Sequence, residues 1–194
     1  DQWRELALSS RQFLLQMREN DHFLVGVRDD AGTRNRDAIA ADVQTWAVLA
    51  LGHDPEFQRV MPAGPSGIPA CIPWVEKHCR EESGGLGGYK FSDRGSGLWP
   101  EGAAHLACCY QQLGQTDQAK QILLEAAQTS PLDRTAGGIL AAWPGDSRTG
   151  FLKEFAPGDV RDWTYPARPH LGCSAWWLLS ALGVNPYRFS ETAL

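Results

Sequence analysis

The stretch PEGAAHLACCYQQLG, residues 100–114, decides the predicted fold of this chain. Small and apolar residues occupy almost its whole circumference, which is typical of a helix buried on most faces. A proline is favoured in the first turn of a helix, and Gly114 marks the end. Phrases of the same kind recur as DVQTWAVLALG at residues 42–52 and as HLGCSAWWLLSALG at residues 170–183. The chain therefore contains three versions of one buried-helix pattern.

More polar helical patterns lie between these phrases, at residues 3–19, 74–83 and 116–130. Alternation of buried and amphipathic helices predicts an all-α fold, with three α-hairpins arranged in a toroid-like bundle. We expect long loops and short strand-like excursions, near residues 22–28 and 87–92, at one end of the bundle. Residues 130–169 are predicted to be irregular. The chain is predicted to be one domain over residues 1–194, and its start without methionine predicts that it is a processed or trimmed piece of a larger protein.

Composition excludes several classes of protein. An apolar content of 43% with a formal net charge of only -5 is typical of a folded chain. The longest apolar stretches are about half of the ~20 residues that a membrane span needs. The 18 Lys and Arg residues are scattered, which argues against a nucleic-acid partner. Five cysteines, with no metal-binding spacing, are predicted to be buried thiols.

A polar residue introduces each buried helix within an aromatic-rich phrase: AADVQTW, GLWPEGAAH and DWTYPARPHLG. If the three helices run parallel, Asp42, Glu101 and His170 lie at the same end of the bundle. The aromatic residues expected around them are Trp46, Tyr89, Phe91, Trp99, Trp163 and Tyr165. Aromatic rings suit the apolar faces of sugars, and paired carboxylates are the machinery of glycoside hydrolysis. These patterns predict Glu101 as the acid, Asp42 as its partner and His170 as a further catalytic candidate.

Simpler roles remain open for the same residues. Asp42 is a suitable helix cap, Glu101 is favoured in a first turn by the helix dipole, and His170 is compatible with a structural role. The glycine-rich run at residues 83–97 lacks the ending of a phosphate-binding loop. The chain also lacks HExxH, GxSxG and paired CxxC motifs, so the common zincin, hydrolase and redox signatures are missing.

The three buried-helix phrases, together with the run WTYPARPHLGCSAWWLLSALGVNPY, resemble the inner-helix phrases of α/α-toroid carbohydrate-active proteins, the six-hairpin glycosidase-like group. The resemblance covers roughly residues 37–187. It implies an incomplete ring of helical hairpins with a substrate groove at the loop-rich end. A general acid at the start of an inner helix corresponds to Glu101, and less securely to Asp42. A full toroid has six hairpins and this chain supplies about three, which implies either a missing N-terminal part, a partner subunit that completes the ring, or a reduced relative.

The first functional prediction is hydrolysis of a glycosidic bond in an oligo- or polysaccharide, without a cofactor or metal. A sugar-binding module without chemistry is the main alternative. A polysaccharide lyase is a further one, with His170 or Tyr165 removing a proton and Arg168 binding a uronate carboxylate. A terpenoid-cyclase-like toroid also suits tryptophan-rich inner helices, although the chain has no DxDD or DDxxD run. We expect a carbohydrate partner, no nucleic acid and no membrane.

Overall fold

The computed structural model describes residues 2–129 and 137–188, which form seven helices and seven β-strands. The helices are α1 Gln2–Gln16, α2 Ala41–Leu51, α3 Pro55–Val60, α4 Cys71–His78, α5 Pro100–Gln112, α6 Thr116–Thr129 and α7 Leu171–Ala181. The strands are β1 Arg18–Glu19, β2 His22–Phe23, β3 Arg80–Ser83, β4 Leu86–Tyr89, β5 Ser96–Leu98, β6 Trp143–Ala156 and β7 Asp159–Tyr165. The prediction of an all-α, toroid-like fold is wrong, because the helices pack beside three antiparallel sheets.

Helix α5 lies at the centre of the core. It packs against α2, α6 and α7, and every residue from 102 to 110 is buried. Burial on all sides explains why apolar and small residues surround this helix. Helix α7 carries a similar apolar pattern, but it is not buried on every face. Leu171 and Leu178 within the helix are exposed, and so is Leu182 directly after it. The element that precedes α7 is a β-hairpin, so the predicted third helical hairpin is absent from the described ranges.

One side chain of α2, that of Gln44, supplies hydrogen-bond partners to backbone groups that the short β1–β2 hairpin leaves without a strand partner. The buried amide of Gln44 accepts a hydrogen bond from Phe23 N at 2.7 Å and donates to Phe23 O at 2.8 Å. The same amide donates to Ala40 O at 3.0 Å. Buried backbone groups need such partners, so Gln44 fixes the β1–β2 hairpin against the start of α2.

Helix α3 was not predicted, although its start carries recognisable signals. Asp54 accepts hydrogen bonds from the backbone N–H groups of Glu56 and Phe57, and Pro55 occupies the first turn. Arg11 of α1 contacts the Asp54 carboxylate through two nitrogens, at 2.6 and 2.7 Å. The cap therefore also attaches α1 to the rest of the chain.

The predicted helix at residues 74–83 ends earlier, because α4 stops at His78 and β3 begins at Arg80. Strand β3 pairs with β4 through a two-residue turn at Gly84 and Gly85, both with positive φ. Two glycines of this kind favour the turn that matches strand twist. Extended structure near residues 22–28 and 87–92 corresponds to β2 and β4.

The largest departure from the prediction is the hairpin of β6 and β7, which occupies most of the segment expected to be irregular. Residues 130–136 of that segment lie outside the described ranges. Pro157 and Gly158 join the two strands, and Gly158 has φ of 80°. Proline followed by a positive-φ glycine is the composition of a type II turn, so a hairpin signal was present in the sequence.

Among the described residues, all five cysteines are free and buried, which confirms the prediction of buried thiols. No helix within the described ranges has both the length and the apolar character required to cross a bilayer.

Candidate functional site

The starts of α2, α5 and α7 meet at one end of the core. Ala41 N donates to Phe91 O at the start of α2, and Trp99 N donates to Tyr89 O at the start of α5. His170 N donates to Ile139 O at the start of α7. These backbone bonds tie each helix start to an extended segment. As predicted, Asp42, Glu101 and His170 come to the same region of the molecule.

An open pocket of about 260 Å³ lies beside the start of α2. Its walls are mostly apolar and include four aromatic rings. The lining residues are Val25, Ala40, Asp42, Val43, Phe91, Thr149, Phe151, Trp163 and Tyr165. Strands β6 and β7 supply three of the rings, the segment after β4 supplies the fourth, Phe91, and the first turn of α2 supplies the carboxyl group. Apolar walls with a few converging polar groups are typical of small-molecule sites.

Asp42 lies in the first turn of α2, whose cap position is Ala40 with no side-chain hydrogen bond. Its Oδ1 accepts a hydrogen bond from Val43 N at 2.7 Å. Burial nevertheless raises the pKa of Asp42 to about 6, because a charged carboxylate loses hydration in this position. Asp42 therefore makes a local helix-start contact while its carboxyl group lines the pocket.

Glu101 lies in the first turn of α5, with 12% of its side chain exposed, and is not one of the residues that line the pocket. Its Oε2 is 3.5 Å from His170 Nδ1, and its Oε1 is 3.8 Å from His105 Nε2. Burial first, and the negative charge of Asp42 second, raise the pKa of Glu101 to about 7. A carboxyl group with this pKa is partly protonated at neutral pH, as a general acid requires.

Tyr165 connects the pocket with Glu101. Its ring lies 6.0 Å from Trp99, 6.5 Å from Trp163 and 6.1 Å from His170, measured between ring centroids. Burial raises its pKa to about 12, with further contributions from the charges of Glu101 and Asp42. The phenol thus stays protonated at neutral pH and lies within the electrostatic range of both carboxyl groups.

His105, one turn after Glu101 on α5, was not predicted as a site residue. It is fully buried, and its ring contacts Trp46, Trp99 and Trp176 at centroid distances of 5.6, 5.3 and 4.2 Å. Neither ring nitrogen has a hydrogen-bond partner within the described part of the chain. Burial lowers the pKa of His105 to about 3, so the ring is neutral at pH 7. The i, i+4 spacing from Glu101 was the signal that placed both on one helix face.

Gly172 allows the carboxyl group of Glu101 to approach the start of α7. A Cβ on Gly172 would lie 3.2 Å from Glu101 Oε1 and 3.1 Å from His170 Cε1. Such contacts are tighter than side chains normally accept, so any larger residue displaces Glu101 or His170. The glycine of the PHLG phrase is therefore part of the geometry of the site.

The other predicted binding residues divide into three groups. Trp163 lines the pocket. Trp99 is buried, with its ring stacked on that of Tyr165. Trp46 is partly exposed, and its ring contacts the buried ring of His105. Tyr89 lies outside the pocket, where its hydroxyl donates to Glu76 Oε2 at 2.7 Å. Arg168 is exposed and does not line the pocket.

Within the described ranges, no group of three or more His, Cys, Asp or Glu residues is arranged to hold a metal ion. Comparisons of the chain with protein-family models, curated proteins and solved structures found no match.

Proposed function

We propose that this protein hydrolyses glycosidic bonds, with Glu101 as the general acid and Asp42 as its partner carboxylate. The observation that carries the proposal is the pair of carboxyl groups with raised pKa values, about 7 for Glu101 and about 6 for Asp42, together with the aromatic pocket that Asp42 lines. Glycoside hydrolysis uses two such groups in different protonation states.

In the proposed reaction, protonated Glu101 donates its proton to the glycosidic oxygen as the bond to the anomeric carbon breaks. Ionised Asp42 either accepts a proton from the water that attacks this carbon or bonds to the carbon first and is then released by water. In both routes one water is consumed and two hydroxyl groups form. In the first route Asp42 then releases to solvent the proton that it took from water, and Glu101 takes a proton from solvent. In the second route Glu101 takes its proton back from the water that releases the sugar from Asp42.

The aromatic walls supply the binding surface in this proposal. Phe91, Phe151, Trp163 and Tyr165 present apolar rings to the faces of a sugar. His105 remains neutral beside Glu101, so it leaves the carboxyl group without the positive charge that would lower its pKa. Gly172 permits the approach of Glu101 to His170.

A lyase is the second candidate, because His170 contacts Glu101 and remains partly exposed at the start of α7. An imidazole in this position is within reach of a bound sugar and is the kind of side chain that removes a proton next to a uronate carboxylate. Tyr165 is less suited to the role of base, since its pKa is raised.

The test is a panel of neutral and acidic oligosaccharides, assayed for new reducing ends and for absorbance from an unsaturated sugar ring. Reducing ends without absorbance support hydrolysis, and absorbance indicates a lyase. Binding without cleavage indicates a sugar-binding module. Glu101→Gln should reduce the rate of cleavage by about 10²–10⁴-fold. Asp117→Asn, which alters an exposed acidic residue in the first turn of α6, should leave the rate unchanged.

A further inference from the structure

The outer half of the β6–β7 hairpin carries a row of aromatic and basic side chains on one face. Lys153 pairs with Arg161 in the strand register, so both side chains point to the same face of the hairpin. Phe155 follows Lys153 by two residues on β6, and Trp163 follows Arg161 by two residues on β7. We call these four residues the hairpin strip. Strand β5 pairs only with the inner part of β6, up to Arg148.

Contacts within the hairpin strip alternate between cations and rings. Lys153 Nζ lies 5.5 Å from the ring centroid of Phe155 and 5.4 Å from that of Trp163. The guanidinium carbon of Arg161 lies 4.6 Å from the ring centroid of Phe155. Phe155 and Trp163 are about half exposed, at 48% and 54%. The rings and cations are therefore available together at the surface.

The hairpin strip continues directly from the pocket. The rings of Trp163 and Tyr165 are nearly parallel, with 12° between their planes, and both residues line the pocket. Residues 161–165 of β7 extend over about 13 Å, since a strand rises about 3.3 Å per residue. A chain of sugars that starts in the pocket would therefore reach the hairpin strip.

The charges on the hairpin strip favour one kind of sugar. Within the described ranges Lys153 forms no ion pair, and the only carboxylate within ion-pair distance of Arg161 is Asp159, at 3.4 Å. The carboxylate of Asp162, which could compete, belongs to the opposite face and accepts hydrogen bonds from Thr149 and Gly150. Two cations over aromatic rings suit a saccharide that carries both apolar faces and negative groups.

We propose that the hairpin strip binds an anionic saccharide, one that carries carboxylate or sulfate groups, as an extension of the pocket. The proposal rests on the proposed carbohydrate function and adds the substrate class. Single-stranded nucleic acid also stacks on aromatic rings, but its affinity needs more phosphate contacts than two cations supply.

The experiment is calorimetric binding of hexagalacturonate, a sulfated maltohexaose and neutral cellohexaose, with an oligothymidylate as a further probe. We expect at least one anionic saccharide to bind about tenfold tighter than cellohexaose at low salt, with the preference reduced at high salt. The double variant Lys153→Gln, Arg161→Gln should lose the preference and retain its thermal transition. The matched control, Leu152→Ala with Val160→Ala, alters the opposite face of the hairpin and should retain the preference.

Equal binding of anionic and neutral saccharides, equal loss in the opposite-face control, or tightest binding to the oligothymidylate would overturn the assignment. Which anionic probe binds identifies the charged group as carboxylate or sulfate. Cleavage of neutral sugars without an anionic preference would leave the proposed hydrolysis standing and remove this inference. A preference for anionic saccharides without any cleavage would support this inference and remove the proposed hydrolysis.

Discussion

On one side of the candidate site, the starts of α2 and α5 hold carboxyl groups in buried surroundings, and the start of α7 places His170 next to one of them. On the other side, β6 and β7 hold aromatic rings that solvent reaches. Burial shifts the pKa values of Asp42 and Glu101, so the helical side is suited to proton transfer. The hairpin side includes Trp163, which is half exposed and offers contact area. Substitutions on the helical side should therefore change chemistry and stability, and those on the hairpin side should change binding alone.

The largest expected effect is that of Glu101→Gln on turnover. Glutamine retains the shape of the side chain but has no proton to donate, so kcat should fall by about 10²–10⁴-fold. Steady-state kinetics on a cleaved oligosaccharide measure the change, with Asp117→Asn as the control at another helix start. Unchanged kcat in a folded Glu101→Gln protein would remove Glu101 from the mechanism.

The same substitution should stabilise the protein at alkaline pH. The pKa of Glu101 is about 7 in the folded chain and 4.5 ordinarily, so the folded state binds the proton more tightly. The free energy of unfolding therefore has its full value, as far as Glu101 is concerned, below pH 4.5. It falls as the pH rises towards and through 7, by about 3 kcal/mol at most. Denaturant unfolding should show Glu101→Gln more stable than wild type at pH 8 and equal to it at pH 4. A constant difference across this range would contradict the raised pKa.

The pH dependence of kcat/KM should be bell-shaped. The proposed hydrolysis needs ionised Asp42 and protonated Glu101, whose pKa values are about 6 and about 7. We expect an optimum between these values and a fall of about tenfold per pH unit well outside them. Initial rates across the acidic and alkaline range measure the profile. Full activity maintained at pH 9 would argue against a protonated Glu101.

Gly172→Ala should reduce turnover about tenfold, because a Cβ displaces Glu101 or His170 by a few tenths of an ångström. The matched control is Gly145→Ala on β6, where a Cβ has no neighbour within 4 Å. Kinetics of the two variants, with thermal unfolding as a check on folding, compare the helical and hairpin sides directly. Equal rates in both variants would show that the approach at Gly172 does not affect the reaction.

The smallest effects belong to Trp163→Ala on the hairpin side. Loss of one exposed ring should raise KM about three- to tenfold and leave kcat unchanged. The free energy of unfolding should change by less than about 0.5 kcal/mol, because Trp163 is 54% exposed. Val160→Ala, also exposed on β7 but on the opposite face, is the control. A loss of kcat rather than KM would place Trp163 with the catalytic residues.

The same two sides differ in how far they could be predicted. Helix α5 was located from its residues because burial on every face leaves an unmistakable apolar pattern. The shared position of Asp42, Glu101 and His170 at the starts of the three phrases also predicted that they lie at one end of the molecule. Tyr89 and Arg168 were misplaced, since nearness to an aromatic-rich phrase does not determine where a side chain points.

Strands β6 and β7 escaped prediction because both faces of the outer hairpin are exposed. Leu152 on one face and Phe155 on the other are accessible, so no buried face imposes an alternation of apolar and polar residues. Bulges shift the register between Arg148 and Leu152 and again near the turn, which further breaks the period of two. The Pro157 and Gly158 turn was the remaining signal.

The residues alone were enough to locate the buried helices α2 and α5 and to predict the buried thiols, because these features depend on local periodicity and on residue type. Only the tertiary structure decided the raised pKa values of Glu101 and Asp42, the role of His105 and the position of the aromatic wall. Desolvation depends on how many atoms surround a group from distant parts of the chain. Sequence order does not contain that quantity until the elements have packed.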